Sequence, residues 1–520
     1  MGEITLPIWL VILAAILATI GLIDRLLAPS VRWFLRRRAN KAIEKLNSKL
    51  SLKIQPFKLT KREALIDALM FDPEVIKAIE SQAKETGSPR EIIMKKARRY
   101  ANEVVPAFSH YTYFKIGTKL ARSLSKMLYR VRLGNPDEAA LKEIDSNSSV
   151  VFVMNHRSNM DYVLVTYMAA TSSALSYAVG EWARIWALQN LIRAMGAYFV
   201  RRQSSSNTLY RKVLSRYVHM ATQAGVTQAV FPEGGLSRDG KLRPPKFGLL
   251  SYMISDFDPK GERDVVFIPV GLNYDRVLED RMLSANANKK QGEKPKFKFS
   301  PKVFFGFIGH QIKLAFTGNW FRYGYACVSF GKPVSMRKYL KDNGRGENLK
   351  GVSGKRINVG GVPVSSTGQA RTGGASLRGV SAKREATNDD KNKEALDLRL
   401  MGEEQRFKEI EKLGQSLMQE VGKAVPVLPV SLLATIFVQE GARPLSLFEL
   451  KSKVFNLINE LEAKSVHIHI PRNDHDYLVE VGLRMLTLRH IVREEDDKYR
   501  PNWQEKLLLE YYANSIAHLL

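Results

Sequence analysis

Between residues 149 and 333 the sequence alternates short apolar runs with longer segments of helical periodicity. Such runs are typical of strands buried on both faces, and parallel strands need helical crossovers between them. The pattern therefore predicts an α/β fold, a mainly parallel sheet flanked by helices, in a domain spanning residues 141–340. The predicted strands are residues 150–154, 198–200, 229–231, 265–270, 303–307 and 326–330, and the clearest predicted helices are residues 160–170 and 208–224.

The amino-terminal region contains 20 consecutive residues without a charge, residues 4–23. A helix of that length spans the hydrocarbon core of a bilayer. The basic residues that follow place their side in the cytoplasm by the positive-inside rule. The sequence therefore predicts a single-pass transmembrane anchor over residues 1–27, a location in the cell membrane, and a cytoplasmic α/β domain. A buried or re-entrant hairpin helix is the alternative.

The chain is strongly basic, with 80 Lys and Arg against 52 Asp and Glu and a formal net charge of +28. This excess predicts a polyanionic partner, either an anionic membrane, a phosphorylated substrate or nucleic acid. Residues 28–140 form a basic region with helical periodicity, and residues 113–131 place basic side chains beside an apolar stripe. Such a helix either lies on an anionic membrane or packs on the neighbouring domain.

The remainder of the chain divides into a linker and a second domain. Residues 341–396 are rich in glycine and contain no aromatic residue, which predicts a disordered linker. Residues 397–520 predict a mostly helical C-terminal domain. Within it, residues 444–501 have the order of a winged helix, which makes nucleic-acid binding a competing function. The charged turn of that segment is acidic, so no nucleic-acid partner is expected.

A histidine and an aspartate five positions apart, His156 and Asp161, follow the first predicted strand of the α/β domain. His156 lies at the carboxyl end of that strand, the edge at which open α/β sheets bind ligands. Asp161 lies in the first turn of the next helix, where a carboxylate is favoured. If the turn folds back, Asp161 orients one imidazole nitrogen and the other acts as a base toward a hydroxyl group. An aspartate that caps its helix beside an unrelated histidine has the same spacing.

Three further segments accompany this pair. Residues 196–202 form a strand-like run ending in two arginines, whose forks match phosphate oxygens. Residues 231–241 open into a turn in which Gly234 and Gly235 allow close approach to a ligand, and residues 266–271 form a strand with a proline near its end. The basic side chains of these segments and of the residues just after them are Arg201, Arg202, Arg238, Lys241, Arg243 and Lys246. A surface cluster, a β-turn and an edge strand explain each segment alone, but the four together indicate one site.

The motifs NHRSNMD, GAYFVRR, FPEGGLSRDGK and FIPV, in this order, resemble the four acyltransferase blocks of the glycerolipid acyltransferases. The second motif, with Tyr210 after it, is most similar to the membrane-bound glycerol-3-phosphate and dihydroxyacetone-phosphate acyltransferases. The chain end YYANSIAHLL resembles the end of the long bacterial glycerol-3-phosphate acyltransferases. The resemblance implies the glycerolipid acyltransferase fold. It also implies acyl transfer from acyl-CoA or acyl carrier protein to the sn-1 hydroxyl of glycerol 3-phosphate, giving 1-acylglycerol 3-phosphate, the first step of phospholipid synthesis.

The resemblance also implies roles for individual residues. His156 would be the base and Asp161 its orienting partner, with no metal and no cofactor beyond the acyl donor as co-substrate. Anionic membrane lipid is a further expected partner. The residues that would bind the acceptor are Arg201, Arg202, Glu233, Gly234, Gly235, Arg238 and Lys241. The family usually has an arginine directly after E-G-G or E-G-T, where this chain has Leu236. Either Arg238, Lys241 or Arg243 replaces that arginine or the acceptor differs. The acceptor therefore stays open between glycerol 3-phosphate, dihydroxyacetone phosphate and a lysophospholipid.

A competing interpretation from another class is a non-catalytic protein, anchored in the membrane, that binds lipid or nucleic acid on the same fold. The presence of both His156 and Asp161 argues against it, because a binding protein has no need of a base and its orienting carboxylate.

Overall fold

The computed structural model describes residues 55–134, 140–141, 143–169, 174–180, 186–201, 207–287, 309, 322–343 and 396–520. The predicted anchor, the predicted strand 303–307 and most of the predicted linker lie outside these ranges. Within the described ranges, no helix is both long and apolar enough to cross a membrane.

The described part of the basic region is helical as far as Leu128. Its helices are α1 (Pro56–Leu59), α2 (Arg62–Met70), α3 (Pro73–Thr86), α4 (Arg90–Val104) and α5 (Thr118–Leu128), with a π-helical turn, Thr112–Gly117, leading into α5. Local sequence explains the ends of α3. The Asp72 side chain accepts a hydrogen bond from the amide of Glu74 at 3.0 Å, and Gly87 ends the helix at a φ of +61°.

The prediction of one helix over residues 113–131 is wrong at its end. After Leu128 the chain becomes strand β1 (Arg130–Leu133), which pairs in parallel with a strand far along the sequence, Tyr325–Phe330. The apolar spacing continues through this point, so local periodicity could not show the change. Pairing with a distant sheet edge decided it.

The centre of the molecule is the predicted α/β sheet. Its other strands are β2 (Ser149–Met154), β3 (Ser176–Gly180), β4 (Tyr198–Val200), β5 (Gln228–Val230), β6 (Val265–Tyr274), β7 (Tyr325–Phe330) and β8 (Val334–Ser335). The spatial order is β1-β7-β6-β2-β5-β3-β4, with β8 paired to β6. The strands from β6 to β4 run parallel, whereas β7 and β8 run antiparallel to β6. The mainly parallel sheet is therefore confirmed.

Helices cover both faces of the sheet. They are α6 (Met160–Ala169), α7 (Trp186–Ala194), α8 (Thr208–Gln223), α9 (Gly248–Ile254), α10 (Asp280–Ala285) and α11 (Met336–Asn343). β2 is buried along its whole length, and its residues alternate between two hydrophobic clusters. Val151 and Val153 pack in the cluster that contains α8, and Phe152 packs in the cluster that contains the C-terminal helices. A strand buried on both faces explains why this run is continuously apolar.

Among the predicted elements, α6, α8 and strands β2 and β4 lie within one residue of their predicted bounds at each end. β3 was not predicted, and β6 continues past its predicted end at residue 270 to Tyr274. The extension has a functional consequence, because it carries polar residues to the edge of the sheet where His156 lies.

The C-terminal domain packs directly on the sheet. Its helices are α12 (Glu403–Ala424), α13 (Pro429–Glu440), α14 (Leu447–Ala463), α15 (His475–Thr487) and α16 (Lys506–Ala513), and its strands are β9 (Leu445–Ser446), β10 (Val492–Glu495) and β11 (Lys498–Pro501). Three helices followed by a hairpin, in a sheet ordered β10-β11-β9, form the predicted winged-helix arrangement. At Gly271 of β6, a Cβ atom would lie 2.1 Å from the carbonyl oxygen of Ala424, so only glycine allows α12 to approach this closely.

Candidate active site

Asn155 continues the pairing of β2 with β6 beyond the end of the strand. Its Oδ1 accepts a hydrogen bond from the amide of Leu272 at 2.7 Å, and its Nδ2 donates to the Leu272 carbonyl at 2.9 Å. The side chain thereby satisfies both backbone groups of a buried residue while the main chain turns away from the sheet. His156, the next residue, is held at the carboxyl edge.

His156 and Asp161 form a buried pair. His156 Nδ1 lies 2.8 Å from Asp161 Oδ2, and their side chains are 6% and 0% exposed. The turn folds back as predicted, because the same Oδ2 also accepts the amides of Arg157 at 2.7 Å and Ser158 at 3.0 Å. An ionised carboxylate can only accept hydrogen bonds, so Nδ1 carries the proton and Nε2 of the neutral imidazole is left as the basic nitrogen.

The remaining oxygen of Asp161 is held by a tyrosine that the sequence did not indicate. Tyr274 Oη, at the end of β6, donates a hydrogen bond to Asp161 Oδ1 at 2.6 Å. Burial, together with the neighbouring Asp161 carboxylate, raises the pKa of Tyr274 well above its ordinary value, so this hydroxyl stays a donor. With both oxygens engaged, the carboxylate has a fixed orientation.

Aromatic rings enclose the imidazole. The ring of Phe231 lies 4.3 Å from that of His156 at 30°, and the ring of Tyr162 lies 5.4 Å away at 83°. Phe231 is the last residue before the glycine-rich turn and Tyr162 lies on α6, so two segments of the site fix the ring plane. The apolar walls also limit the access of water to the base.

Glu233 supports the histidine from the glycine-rich loop. It is buried, and its Oε1 accepts the amide of His156 at 3.0 Å. Burial raises the pKa of Glu233 to about 7, and the nearby guanidinium of Arg157 acts in the opposite direction. The same loop returns a second hydrogen bond, from the amide of Ser237 to the carbonyl of His156 at 3.1 Å. The loop and the histidine are therefore one rigid unit.

Two basic side chains lie over the glycine turn. Gly234 has a φ of +66°, and a Cβ atom there would lie 2.8 Å from Cδ of Lys246. A Cβ atom at Gly235 would lie 3.3 Å from Nη1 of Arg243, whose Nη1 is 3.5 Å from the carbonyl of Leu236. The positive charges of Lys246 and Arg243 therefore lie over two glycines, which have no side chains. The first of them, Gly234, directly follows Glu233, which binds the His156 amide. This arrangement suits a phosphorylated ligand.

Comparisons with known proteins agree with this geometry. Residues 136–273 match the family model described as Acyltransferase, and residues 314–520 match the model for the glycerol-3-phosphate acyltransferase C-terminal region. The first match covers both the His156–Asp161 pair, called the dyad below, and the glycine turn at Gly234 and Gly235. The second match covers the C-terminal domain.

Over residues 136–273 and 314–520 the chain is therefore similar to the acyltransferases that these two models describe.

Curated proteins with similar sequences show how far the likeness extends. Proteins named glycerol-3-phosphate acyltransferase from Aeromonas hydrophila subsp. hydrophila, Xylella fastidiosa (strain M23) and Shewanella halifaxensis are 30%, 29% and 31% identical to this chain over 288, 286 and 287 residues. Each alignment covers 55% of this chain but only 34%, 32% and 34% of the relative. The matched part therefore spans about a third of the length of these relatives.

Of the four basic residues expected to bind the acceptor, Arg201 has a different environment. Its guanidinium makes two hydrogen bonds to the carboxylate of Glu103, at 2.8 and 2.7 Å, and lies against the rings of Tyr100 and Tyr210. Arg202 lies outside the described residues. Arg201 is therefore held by the Glu103 carboxylate and lies against two aromatic rings. This contact joins α4 to the end of β4.

The other two predicted basic residues lie on the loop that contacts His156. Arg238 is half-buried and makes no hydrogen bond or ion pair with the residues that the structure describes. Lys241 is exposed, and its amide donates to Asp239 Oδ1 at 3.1 Å. The basic residues directly over the glycine turn are Arg243, which the sequence analysis offered as one replacement for the missing arginine, and Lys246, which it indicated only as added positive charge.

Sequence reasoning missed several supports of the dyad turn. Glu279, just before α10, accepts hydrogen bonds from Ser158 Oγ at 2.7 Å and Asn159 Nδ2 at 3.0 Å, and burial raises its pKa. Like Tyr274 and Leu272, it comes from β6 or the segment that follows. The proline-containing motif pointed to this strand, but no local signal identified which of its later residues face the histidine.

The described residues contain no group of three or more His, Cys, Asp and Glu side chains placed to hold a metal ion. Cys327 is buried in β7, and burial raises the pKa of its thiol well above the ordinary value, which disfavours a nucleophilic thiolate.

Proposed function

We propose that this chain transfers an acyl group from a thioester, acyl-CoA or acyl carrier protein, to the sn-1 hydroxyl of glycerol 3-phosphate. The observation that carries the proposal is the buried 2.8 Å contact of His156 Nδ1 with Asp161 Oδ2, which leaves Nε2 as the base. The names of the relatives support the acceptor.

In this reaction His156 Nε2 removes the proton of the acceptor hydroxyl while the oxygen of that hydroxyl attacks the thioester carbonyl carbon. A C–O bond forms and the carbonyl oxygen becomes a tetrahedral oxyanion. The C–S bond then breaks, and the departing thiolate takes the proton from the imidazolium. Asp161 stays ionised throughout and stabilises the imidazolium. The acyl group passes directly to the acceptor, so no residue of the chain needs to become acylated.

The phosphate of the acceptor would lie over the turn at Gly234 and Gly235. Arg243 and Lys246 lie over this turn, and the side chains of Arg238 and Lys241 on the same loop make no ion pair with the described residues. Arg243 also comes to 3.5 Å from the carbonyl of Leu236, so its guanidinium occupies the neighbourhood of the position where the family usually has an arginine. This supports Arg243 as the phosphate fork of this chain.

The test is release of thiol from acyl-CoA or acyl carrier protein by detergent-solubilised protein, with and without glycerol 3-phosphate. His156→Ala is expected to lower kcat by about two to four orders of magnitude, because general-base assistance is lost. His475→Ala, an exposed histidine on α15, is the matched control and should keep wild-type activity. Thiol release that does not depend on the acceptor, or that survives in the His156 variant, would contradict the mechanism.

Leu236 favours testing a second acceptor class, because one expected phosphate-binding side chain is absent at that position. Glycerol 3-phosphate, dihydroxyacetone phosphate and a lysophospholipid would be compared at equal concentration, with both donors. The highest kcat/KM is expected for glycerol 3-phosphate. A preference for either of the other two would keep the acyl transfer and change the acceptor.

We also propose that the outer face of α5 contacts an anionic membrane. Its inner face, which includes Ala121 and Leu128, is buried, whereas Leu120 on its outer face and Ile116 in the preceding π-helical turn are 53% and 47% exposed. The basic residues beside these two are Lys115, Lys119, Arg122 and Lys126, all exposed. Exposed apolar side chains flanked by lysine and arginine suit the interface of an anionic bilayer. The anchor over residues 1–27 stays a prediction.

An environment-sensitive fluorophore on Leu120→Cys tests this contact, since the natural Cys327 is buried. A blue shift is expected when the protein is placed in vesicles of phosphatidylcholine with phosphatidylglycerol, and a smaller shift in phosphatidylcholine alone. The control is Lys338→Cys, an exposed position on α11. Equal spectra at both positions in both vesicles would exclude the contact.

A further inference from the structure

Arg157, the residue after the catalytic histidine, has a buried side chain that points away from the dyad. It is only 2% exposed, yet it makes no ion pair with any described carboxylate. Its Nη1 donates to the carbonyl of Gly240, and its Nη2 donates to the carbonyl of Ser515 at 2.8 Å. A buried guanidinium is costly unless its hydrogen bonds are made, so these two carbonyls are the contacts that hold it in place.

The two carbonyls belong to different parts of the chain. Gly240 is in the loop that also contains Glu233 and Ser237, which bind the backbone of His156. Ser515 is buried in the segment that follows α16. The backbone amide of Arg157 meanwhile donates to Asp161 Oδ2. One residue therefore joins the dyad turn, the glycine-rich loop and the end of the chain.

Further contacts fix the C-terminal segment against the same loop. Asn514 Nδ2 donates to the carbonyl of Asp239 at 2.9 Å. Gly240 has a φ of +85°, and a Cβ atom there would lie 1.9 Å from the carbonyl oxygen of Tyr511, so any larger residue would displace the segment. The loop touches the C-terminal segment on one side and His156 on the other.

We propose that Arg157 is a positioning residue through which the C-terminal segment, residues 511–516, sets the geometry of the His156–Asp161 dyad. Its guanidinium binds the carbonyl of Gly240 in the loop and the carbonyl of Ser515 in the segment. Its backbone amide binds the carboxylate of Asp161. The catalytic edge of the sheet is then complete only when the end of the C-terminal domain is docked. The effect on turnover rests on the proposed function.

Arg157→Met keeps an unbranched apolar stem of slightly smaller volume, is shorter than arginine, and removes the donors. It is expected to lower kcat about 100-fold, the size of loss that a small displacement of a catalytic group produces, with KM for donor and acceptor changed less than threefold. Arg157→Lys, which keeps a buried cation with donors, should recover part of the lost kcat. The matched control is Arg337→Met on α11, whose guanidinium also donates to a backbone carbonyl, that of Gly261, away from the dyad. It should leave kcat unchanged.

A double-mutant cycle separates positioning from general destabilisation. Gly240→Ala displaces the segment from the other side of the same contact, so its effect on kcat should not add to that of Arg157→Met. Rates are expressed per folded molecule, from circular dichroism and thermal melting. Additive effects, loss of activity only in proportion to the folded fraction, or a kcat within threefold of wild type would each overturn the proposal.

Hydrogen–deuterium exchange gives a readout that needs no turnover. In Arg157→Met, faster exchange is expected in residues 237–241 and 511–518 together, while the distant helix α3 keeps its protection. If wild type shows no acyl transfer but this pattern appears, the proposed function fails and the link through Arg157 stands. Unchanged exchange in both segments would reject the link itself.

Discussion

At the scale of single residues, the dyad is defined more by what surrounds Asp161 than by the histidine itself. The carboxylate receives hydrogen bonds from an imidazole, two backbone amides and the Tyr274 hydroxyl. Together these four hydrogen bonds leave the carboxylate no freedom to rotate. A histidine oriented this way has its basic nitrogen aimed before any substrate arrives, which lowers the reorganisation needed in the reaction.

Tyr274→Phe tests the contribution of the hydroxyl. We expect kcat to fall about tenfold, equivalent to about 1.4 kcal/mol, because one oxygen of Asp161 loses its donor while the ring still fills its place. Tyr129→Phe is a suitable control, since that buried tyrosine packs against Tyr274 but donates to the carbonyl of Arg276. Equal effects of the two substitutions on kcat would show that the contact with Asp161 has no special role.

Glu233 predicts a distinctive dependence of stability on pH. Its pKa is raised from 4.5 to about 7 by burial, so between these values the folded protein holds a proton that the unfolded chain has lost. The contribution of Glu233 to stability therefore falls as pH rises from 4.5 to 7, by about 3 kcal/mol in total. Glu233→Gln keeps an acceptor for the His156 amide and cannot ionise.

Thermal unfolding of wild type and Glu233→Gln between pH 5 and pH 8 measures this effect. The variant should gain stability relative to wild type as pH rises, because only wild type pays for a buried charge. Other buried carboxyls, including Asp275, whose pKa burial also raises to about 7, are common to both proteins and cancel in the difference. Parallel curves across this range would show that Glu233 does not titrate there.

At the scale of elements, the junction of β2 with β6 decides where the histidine stands. The side chain of Asn155 makes the hydrogen bonds to the Leu272 amide and carbonyl that the backbone of a further β2 residue would make. The main chain can therefore leave the sheet while these buried groups keep their partners. The sequence motif contains this asparagine, but its partner is a backbone group 117 positions away. Only the parallel register of β2 and β6 brings the two together.

Asn155→Ala should destabilise the fold by about 2 to 3 kcal/mol, since the amide and carbonyl of Leu272 lose their partners. It should also lower kcat about 100-fold by releasing the start of the dyad turn. Denaturant unfolding and steady-state kinetics measure the two effects. Asn147→Ala, an exposed position in the turn before β2, is the control and should change neither. Wild-type kinetics in Asn155→Ala would mean that the other contacts of the turn hold it without Asn155.

At the scale of the whole molecule, the C-terminal domain is part of the structure that supports the site. Arg489 Nη1 lies 2.7 Å from Asp280 Oδ2, and both side chains are less than a tenth exposed. Tyr512 joins them, because its hydroxyl donates to Asp280 and accepts hydrogen bonds from Arg489 at 2.9 Å and the amide of Val277 at 3.1 Å. This buried network ties the C-terminal domain to the segment after β6, which also contains Glu279.

Arg489→Met should lower the free energy of unfolding by about 3 to 5 kcal/mol, because it leaves the Asp280 carboxylate buried without its cation. The double variant Arg489→Met/Asp280→Asn removes the charge as well and should recover part of this loss. Thermal and denaturant unfolding provide the comparison. If the double variant is no more stable than Arg489→Met, the charge of Asp280 is not the cause.

The winged-helix arrangement shows why shape and charge must be considered together. The hairpin turn of this domain carries Glu494, Glu495, Asp496 and Asp497, all exposed. The exposed side of α15 adds Asp476 and Glu480. A surface that approaches a phosphate backbone needs lysine and arginine at these places, so the acidic side chains argue against a nucleic-acid contact at this turn, and the absence of such a partner stays a prediction.

Local sequence predicted much of the fold because the strongest signals are local. β2 is apolar from Val150 to Met154 because it is buried on both faces, and α8 has a clear helical period from Thr208 to Gln223. The prediction of a helix at β1 was wrong because its residues continue the apolar spacing of the helix before it. β3 was missed because a five-residue strand gives little periodic signal. In the site, the spacing of His156 and Asp161 was sufficient, whereas Tyr274 and Arg157 act through partners distant in sequence.

The sequence by itself determined the α/β class, the histidine–aspartate turn and the glycine-rich loop, since each depends on neighbouring residues and on burial patterns that repeat along the chain. Tertiary structure alone decided that Arg201 pairs with Glu103, that Arg243 and Lys246 lie over the glycine turn, and that the chain's last helix docks beside the dyad. The reason is physical. Side-chain partners across a sheet edge are chosen by strand register and helix packing, and neither leaves a trace in the spacing of nearby residues.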